Sequence, residues 1–402
     1  MSLPKYYIFY TRNVLPQTNV ASLVQVVNSA NAAANLGYST VLVYLQKAIT
    51  SFNPQKLLHP FSPQTPEPEL VQAYNVQNKL KVAPLPRPWP VDRHWGGKWT
   101  HSNTIISKYY FPTFIKPAAK IVHTRDWSFA KLAIRSGIPA IYEQHHHEQW
   151  KFEPEIVNSP LLTITVTVAD TVRDSMINNG MPPEKVITLH NGCNDFFLFR
   201  QLEDAQKWRE KLLHNQRQYL VVYSGGLYSF KGIDLLIDVA KTLPKIQFVF
   251  AGGDPSHVKD YQTQSQEKQV DNVEFLGFLP QNQLASLLQA ADILAHPHLL
   301  TQAATFTSPL KFFDYLASGT PIASTEIPPL MEFKYANIIS GWCEPDQPHL
   351  FAQCLEQVLE KYPRKLEGYT ENIEFARQFS WENRISKILA HVPEPMRPTV
   401  AL

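Results

Sequence analysis

Cysteine is scarce in this chain: Cys193, Cys343 and Cys354 are the only three in 402 residues. They are odd in number and widely spaced, so they build neither a disulfide framework nor a CxxC metal pair. Long apolar runs are also missing. The longest, about Leu161–Ala169, falls far short of the roughly 20 residues a membrane helix needs. Charge of one sign is not in excess. The 37 Lys+Arg against 35 Asp+Glu give a net charge of +2, which makes no global case for a nucleic-acid binder. The start, Met1-Ser2-Leu3-Pro4-Lys5, lacks a basic region followed by a long apolar stretch, so no signal peptide is expected. No internal repeat has a solenoid period. What is present is 44% hydrophobic and 18% charged, an ordinary globular balance, at a length suited to two or three domains with cores of their own. These features suggest a soluble, multidomain enzyme of a reduced compartment.

The dominant pattern is a short apolar run followed by a helical stretch, repeated many times. Tyr6–Tyr10, Ser39–Leu45, Lys120–His123, Pro139–Gln144, Leu161–Val168 and Val186–Leu189 are one set of strand candidates. Leu220–Ser224, Gln247–Ala251, Val273–Phe275, Ile293–His296 and Pro321–Ser324 are a second. Runs apolar on both faces suit parallel strands covered by helices, so two sets predict two doubly wound α/β domains. The expected division is an N-terminal domain over 1–195, a second domain over 196–375 and a returning C-terminal helix within 376–402, with helix predicted over about 371–390. The Pro-rich stretch 52–90 is expected to form surface loops of the first domain. Ligands of such sheets bind beyond the carboxyl ends of the strands, so function is sought there.

Four segments carry candidate chemistry. Ser224-Gly225-Gly226 ends a strand and precedes Lys231-Gly232 and the amphipathic run Ile233–Leu243. Small residues allow a ligand close to the backbone, a helix start favours an anion, and Lys231 adds a full charge. The GK[ST] ending of a Walker loop is missing, and an ordinary strand–turn–helix with a surface lysine is the plainer alternative. The second segment runs from Thr307 to Pro321. Ser308 suits an N-cap and Pro309 a first helical position, Gly319 suits a C-cap, and Asp314 is spaced to face a ligand, where a carboxylate can accept both hydroxyls of a ribose. The alternative is a solvated acid on a short helix. The third is Tyr142-Glu143-Gln144-His145-His146-His147-Glu148. Consecutive histidines point in different directions, unlike the i, i+4 pair of a zinc helix, so one ligand-facing histidine is favoured over a metal. His123-Thr124-Arg125-Asp126 follows another strand of the same domain. The fourth, 79–120, interleaves eight lysines and arginines with Trp89, Trp95, Trp99, Tyr109, Tyr110, Phe111 and Phe114 against the single acid Asp92. It suits a peripheral contact with an anionic membrane surface and equally a loop with core aromatics.

In this order the segments resemble the retaining glycosyltransferases of family 4. Ser308–Ile322 is similar to their nucleotide-sugar motif, and Ser224–Gly232 to their donor-phosphate loop. Ile187–Gly192 is similar to their hinge signature, Tyr142-Glu143-Gln144-His145 to their acceptor-side segment, and Phe379–Arg384 to their final helix. The resemblance implies a GT-B fold: two Rossmann-like domains facing a cleft, with the last helix crossing back to the first domain. It implies that Lys231, with Gly225 and Gly226, neutralises the donor diphosphate, that Asp314 holds the ribose, and that main-chain groups near Ser308–Leu310 bind the phosphates. His145 would sit beside the transferred sugar. His123, Arg125, Gln17 and Thr18 are acceptor-side candidates. Four features depart from the family pattern: Phe306 and Gly226 stand where many members have Glu and Arg, the ribose carboxylate, usually Glu, is the shorter Asp314, and Gln17-Thr18-Asn19 replaces a Gly-Gly. The chain has no DxD triplet, which argues against the metal-dependent GT-A alternative.

The expectation is a metal-independent, cofactor-free hexosyltransferase. It would retain the anomeric configuration and take glucose from UDP-glucose to a saccharide or lipid-linked acceptor in surface polysaccharide or glycolipid assembly. Its location would be cytoplasmic, peripheral at the inner membrane face. The alternatives are a GT-B epimerase or phosphorylase and a non-catalytic nucleotide-sugar-binding relative.

Overall fold

A computed structural model describes residues 4–17, 20–46, 58–86, 101–301, 310–336 and 338–400. The chain divides into two units, one of residues 1–190 and 381–402 and the other of residues 191–380.

Unit 1 contains a seven-stranded sheet of β1 (Tyr6–Val14), β2 (Thr40–Leu45), β3 (Lys81–Leu85), β4 (Ala119–Thr124), β5 (Ala140–Glu143), β6 (Leu162–Thr167) and β7 (Val186–Thr188). The order is β3-β2-β1-β4-β5-β6-β7, and every pairing is parallel. Chain order reverses between β1 and β4, the switch point where a crevice opens beyond the strand ends. Tyr7, Ile8, Val41, Leu42, Ile121 and Val122 are sealed from solvent, as strands covered on both faces require. The helix Ala21–Asn35 lies against the sheet through Leu23, Val27, Ala30 and Ala33, and its run of small residues lets backbones approach closely.

The Pro-rich stretch is not all loop. Pro68 opens a helix, Pro68–Tyr74, as its first residue, where a missing N–H costs nothing. Lys81–Leu85 is the strand β3, with Val82, Ala83 and Leu85 buried. Pro84 is tolerated because β3 is the outermost strand of the sheet. Residues 47–57 and 87–100 lie outside the described residues. Within 101–120, Ile106–Ile115 forms a wide π-type helix with Pro112 inside it. Tyr110, Phe111 and Ile115 are core, while Lys108, Tyr109 and Lys116 are exposed. Core aromatics therefore account for part of the 79–120 segment.

Unit 2 contains a six-stranded sheet of β8 (Tyr219–Ser224), β9 (Ile246–Ala251), β10 (Val273–Gly277), β11 (Ile293–His296), β12 (Ile322–Thr325) and β13 (Gly341–Cys343). Its order is β10-β9-β8-β11-β12-β13, again all parallel, with the switch point between β8 and β11. One core layer packs Val222, Leu294 and Phe313. The other packs Val221, Phe248, Phe250 and Phe351.

The predicted helix over 371–390 is two helices, Thr370–Arg377 and Trp381–Ala390. Between them Cys193 N–H donates to the Phe379 carbonyl (2.9 Å), and Cys193 bridges Ser380. A continuous helix could not offer those backbone groups. Trp381–Ala390 belongs to unit 1, where Asn35 Nδ2 donates to Glu382 Oε1 (2.9 Å). Among the described residues no helix is long and apolar enough to cross a membrane.

Candidate active site

In unit 1 the polar groups gather around one carboxylate at the end of β5. Glu143 is 1% exposed and accepts four donors. Arg384 Nη1 (2.7 Å) and His123 Nε2 (2.9 Å) reach Oε1. Gln25 Nε2 (2.7 Å) and His145 Nε2 (3.0 Å) reach Oε2. Burial alone would raise this carboxyl, but Arg384 and the two imidazoles outweigh it and hold it well below the usual carboxylate range. Arg384 comes from the final helix and also donates through Nε to the His190 carbonyl (2.9 Å). His123 Nδ1 meets the Tyr7 hydroxyl at 2.8 Å, so both ring nitrogens are used.

His145, at the centre of the expected acceptor-side segment, is buried. Burial and then Arg125 push it down to about 3, despite Glu143. It is therefore neutral at pH 7. Donation through Nε2 to Glu143 leaves Nδ1 as the acceptor nitrogen. His146 and His147 are exposed. Arg125 Nη1 reaches Gln25 Oε1 at 3.3 Å, so Gln25 joins it to Glu143. Beside this network, at the switch point, lies a cavity of about 400 Å³. Tyr10, Trp127, Tyr142 and Trp150 supply aromatic walls, and Arg12, Arg125, Asp126 and Glu148 supply charge. Gln17 is not among its lining residues. Its backbone is held by the Tyr74 hydroxyl, which donates to the Gln17 carbonyl (2.7 Å) and accepts from its N–H (2.9 Å). Thr18 lies outside the described residues.

In unit 2 the corresponding position is the end of β8. Ser224 is buried, and its N–H donates to the Tyr315 hydroxyl (2.7 Å). Gly225 N–H donates to the Ala251 carbonyl (2.8 Å). These two residues thus shape the loop with their own N–H groups already used. Gly225 has φ +123°, a conformation closed to other residues, and Gly252 packs onto its carbonyl so tightly that a Cβ there would collide. A Cβ at Gly226 would stand 2.7 Å from the Tyr228 ring. Lys231 lies over the rings of Tyr228 (5.2 Å) and Phe230 (5.8 Å). Burial lowers its ammonium to about 8. Gly232, at φ +76°, starts the helix Ile233–Thr242, which no side chain caps.

Asp314 lies on the helix Leu310–Ser318, which Tyr315 ties to Ser224. It is partly accessible at its surface, and desolvation raises its carboxyl to about 8. Thr307, Ser308 and Pro309 lie outside the described residues, as does Phe306, and Leu310 is the first residue of the helix. Three polar residues here went unassigned in the sequence. Lys311 is 9% exposed, and its Nζ is buried without a hydrogen-bond partner. His296, the last residue of β11, and His298, two positions on, are buried, and their Nε2 atoms have no hydrogen-bond partner among the described residues. Burial pushes all three well below their ordinary values, and the surrounding positive groups push them further. A His-x-His immediately after a strand was the available signal, together with a lysine wedged between Leu310 and Phe312 on an apolar helix.

Glu143 and Arg384 also lie inside segments already singled out, yet neither carried a role. Their meeting across 241 residues is a property of the fold. Among the described residues, no group of three or more His, Cys, Asp or Glu could hold a metal ion.

Residues 204–377 match the family described as Glycosyl transferases group 1. The chain is 26% identical over 244 residues to a D-inositol 3-phosphate glycosyltransferase of Corynebacterium aurimucosum, covering 57% of this chain and 56% of that protein. It is 26% identical over 236 residues to an alpha-galactosylglucosyldiacylglycerol synthase of Streptococcus pneumoniae, covering 54% and 60%. The chain thus spans little more than half the length of the curated relatives it matches. A crystal structure of HepE from Anabaena, in complex with UDP and glucose, superposes with a TM-score of 0.63 at 15% identity, over 96% of this chain and 99% of that one.

Proposed function

We propose a function from two findings, the match of residues 204–377 to the glycosyl transferases group 1 family and the GT-B fold. From that premise we propose a retaining, metal-independent glycosyltransferase of family 4 that moves a hexose, with glucose from UDP-glucose favoured, onto a sugar or lipid-linked acceptor. The observation that carries the reading is a cation and an acid that have no ion-pair partners among the described residues, at one switch point. Lys231 follows the end of β8, and Asp314 sits on the helix tied to that end. Among the described residues no carboxylate offsets the desolvation of Lys231, and no cation offsets that of Asp314. A nucleoside diphosphate supplies what each lacks. Its phosphates give Lys231 a counter-charge, and its ribose hydroxyls return to Asp314 the hydrogen bonds that burial removed.

As the sugar–oxygen bond breaks, negative charge grows on the leaving diphosphate. A fixed lysine stabilises that charge without reorganisation. Retention by a covalent intermediate needs an accessible carboxylate. Glu143, with four donors and 1% exposure, is not one, which favours substitution on the same face, the donor phosphate acting as base. Neutral His145 offers Nδ1 to a hydroxyl of the transferred sugar. The aromatic cavity of unit 1, with its charged rim, suits a saccharide acceptor. HepE was crystallised with UDP and glucose, so UDP-glucose is the first donor to try. One relative is named for a glycolipid and another for an inositol phosphate, which supports a surface-glycan or glycolipid acceptor. The exposed Lys108, Tyr109 and Lys116 are consistent with peripheral contact at the cytoplasmic membrane face.

Calorimetric titration with UDP, GDP and ADP, with and without magnesium, tests this reading. Magnesium-independent UDP binding, followed by slow UDP-glucose turnover, is expected. Binding of none of the three removes the donor site and the function with it.

A further inference from the structure

Unit 2 buries one amine, that of Lys311, beside the two imidazoles of His296 and His298. Lys311 Nζ lies 3.7 Å from the centroid of the Tyr223 ring, and the Tyr223 hydroxyl donates to the Gly226 carbonyl (2.9 Å). The lysine therefore runs directly beneath the Ser224–Gly226 loop. A Cβ built on Gly225 would stand 3.8 Å from Lys311 Cδ and 3.9 Å from its Nζ, so the amine borders the space the missing side chain leaves open. Among the described residues the groups facing it are Lys231 from the segment after β8, His296 and His298 from the end of β11, and Tyr223 from β8. The His296 and His298 rings lie with centroids 4.1 Å apart, tilted by 50°. Asp314, on the same helix as Lys311, provides no offsetting attraction.

We propose that Lys311 is a second anion-binding residue of the donor site, approached from beneath the Ser224–Gly226 loop, and that a nucleoside diphosphate binds there with net uptake of a proton. This rests on the donor reading of unit 2 and extends it to a residue that reading does not require. A buried amine that faces one aromatic ring and has no hydrogen-bond partner among the described residues is costly as an ammonium, and Lys231 adds like-charge repulsion. A diphosphate cancels both penalties at once. The amine then binds a proton as the anion arrives, so affinity rises with falling pH until the free lysine is itself protonated. His296 and His298 surround the same amine and share in the uptake. A lysine kept only for packing would take up nothing on ligand binding.

The test is calorimetric titration of UDP into the full chain at about pH 7.5 in two buffers of different ionisation enthalpy, where the difference in heat counts protons. Wild-type protein should take up a fraction of a proton per UDP. Lys311→Met, close in volume and apolar, should lose at least about half of that uptake and bind UDP about tenfold more weakly. Its melting temperature without nucleotide should be equal to or above wild type, because the unpartnered amine is gone, which shows that weak binding is not misfolding. Lys311→Arg, which keeps a charge but cannot release it, should bind without the uptake. Wild-type binding that Lys311→Met leaves unchanged in affinity and proton count overturns this inference alone. Wild-type protein that binds no diphosphate overturns the donor reading and this inference together.

Discussion

At the end of β5 one carboxylate, Glu143, gathers four donors. At the ends of β8 and β11, Lys311, His296 and His298 are buried and Lys231 half-buried, with no acid to answer them among the described residues. Both clusters stand at the carboxyl ends of parallel strands, near a switch point, in sheets of the same design. Their electrostatics are opposite. The first is closed: helix Ala21–Asn35, strands β4 and β5 and the final helix each supply a member, and the chain completes its own charge balance. The second has no counter-charge among the described residues, which leaves that role to a ligand in the reading proposed above. Burial of charge by itself thus says little about function. Whether the counter-charge comes from the protein separates a structural network from a binding site.

The largest effect that can break this contrast is on stability. Glu143→Ala should cost about 3–5 kcal/mol, because Arg384 would remain buried and uncompensated and two imidazoles would lose their acceptor. Denaturant unfolding followed by near-ultraviolet absorption of the unit 1 tryptophans would measure it. A loss below about 1 kcal/mol would mean that the network is not closed in the sense argued here. The matching change in unit 2, Lys231→Ala, should leave stability nearly untouched and act on turnover instead. A fall of more than about a hundredfold is expected, equivalent to about 2.7 kcal/mol of transition-state stabilisation, read as UDP release from UDP-glucose. Turnover equal to wild type would remove Lys231 from the chemistry.

The contrast also marks what the sequence reveals and what it hides. Ten of the expected strands, such as Leu220–Ser224 and Gln247–Ala251, coincide with observed ones within a residue or two because runs apolar on both faces have few other uses. β3 was hidden by Pro84, a strand breaker everywhere except at an edge, and the edge is known only once the sheet is assembled. β13 is three residues long and begins with Gly341, too short for periodicity to register. The site divides along the same line. Lys231 and Asp314 could be proposed from the sequence because they follow a strand and a helix start that ligands favour. Lys311 could not, since a lysine on a helix is ordinarily solvated and only the packed fold shows its amine sealed beneath a loop. Glu143 was visible in its segment, but its partner Arg384 is brought to it by a helix that starts 238 positions later in the chain (381 − 143).

The smallest effect sharpens the comparison through pH. His145 titrates near 3 in the folded protein against 6.5 for an unperturbed histidine. Between those values the unfolded chain binds the proton and the folded chain does not. Stability from this group is therefore fully present above about pH 6.5 and is lost as pH falls toward 3. Over the first unit of acidification, from about pH 6.5 to 5.5, one such histidine accounts for about 1 kcal/mol. His296 and His298 are depressed in the same direction and add to the slope, whereas the raised carboxyl of Asp314 favours the folded state as pH falls from about 8. Subtracting the profile of His145→Gln from that of wild type isolates the first term. Adding UDP should flatten the contribution of His296 and His298, because the anion lets them hold protons in the folded state, and should leave that of His145 as it was. A nucleotide that altered the His145 term equally would mean that the two clusters respond as one, and that the separation of a closed network from an open site is not how this protein handles its buried charge.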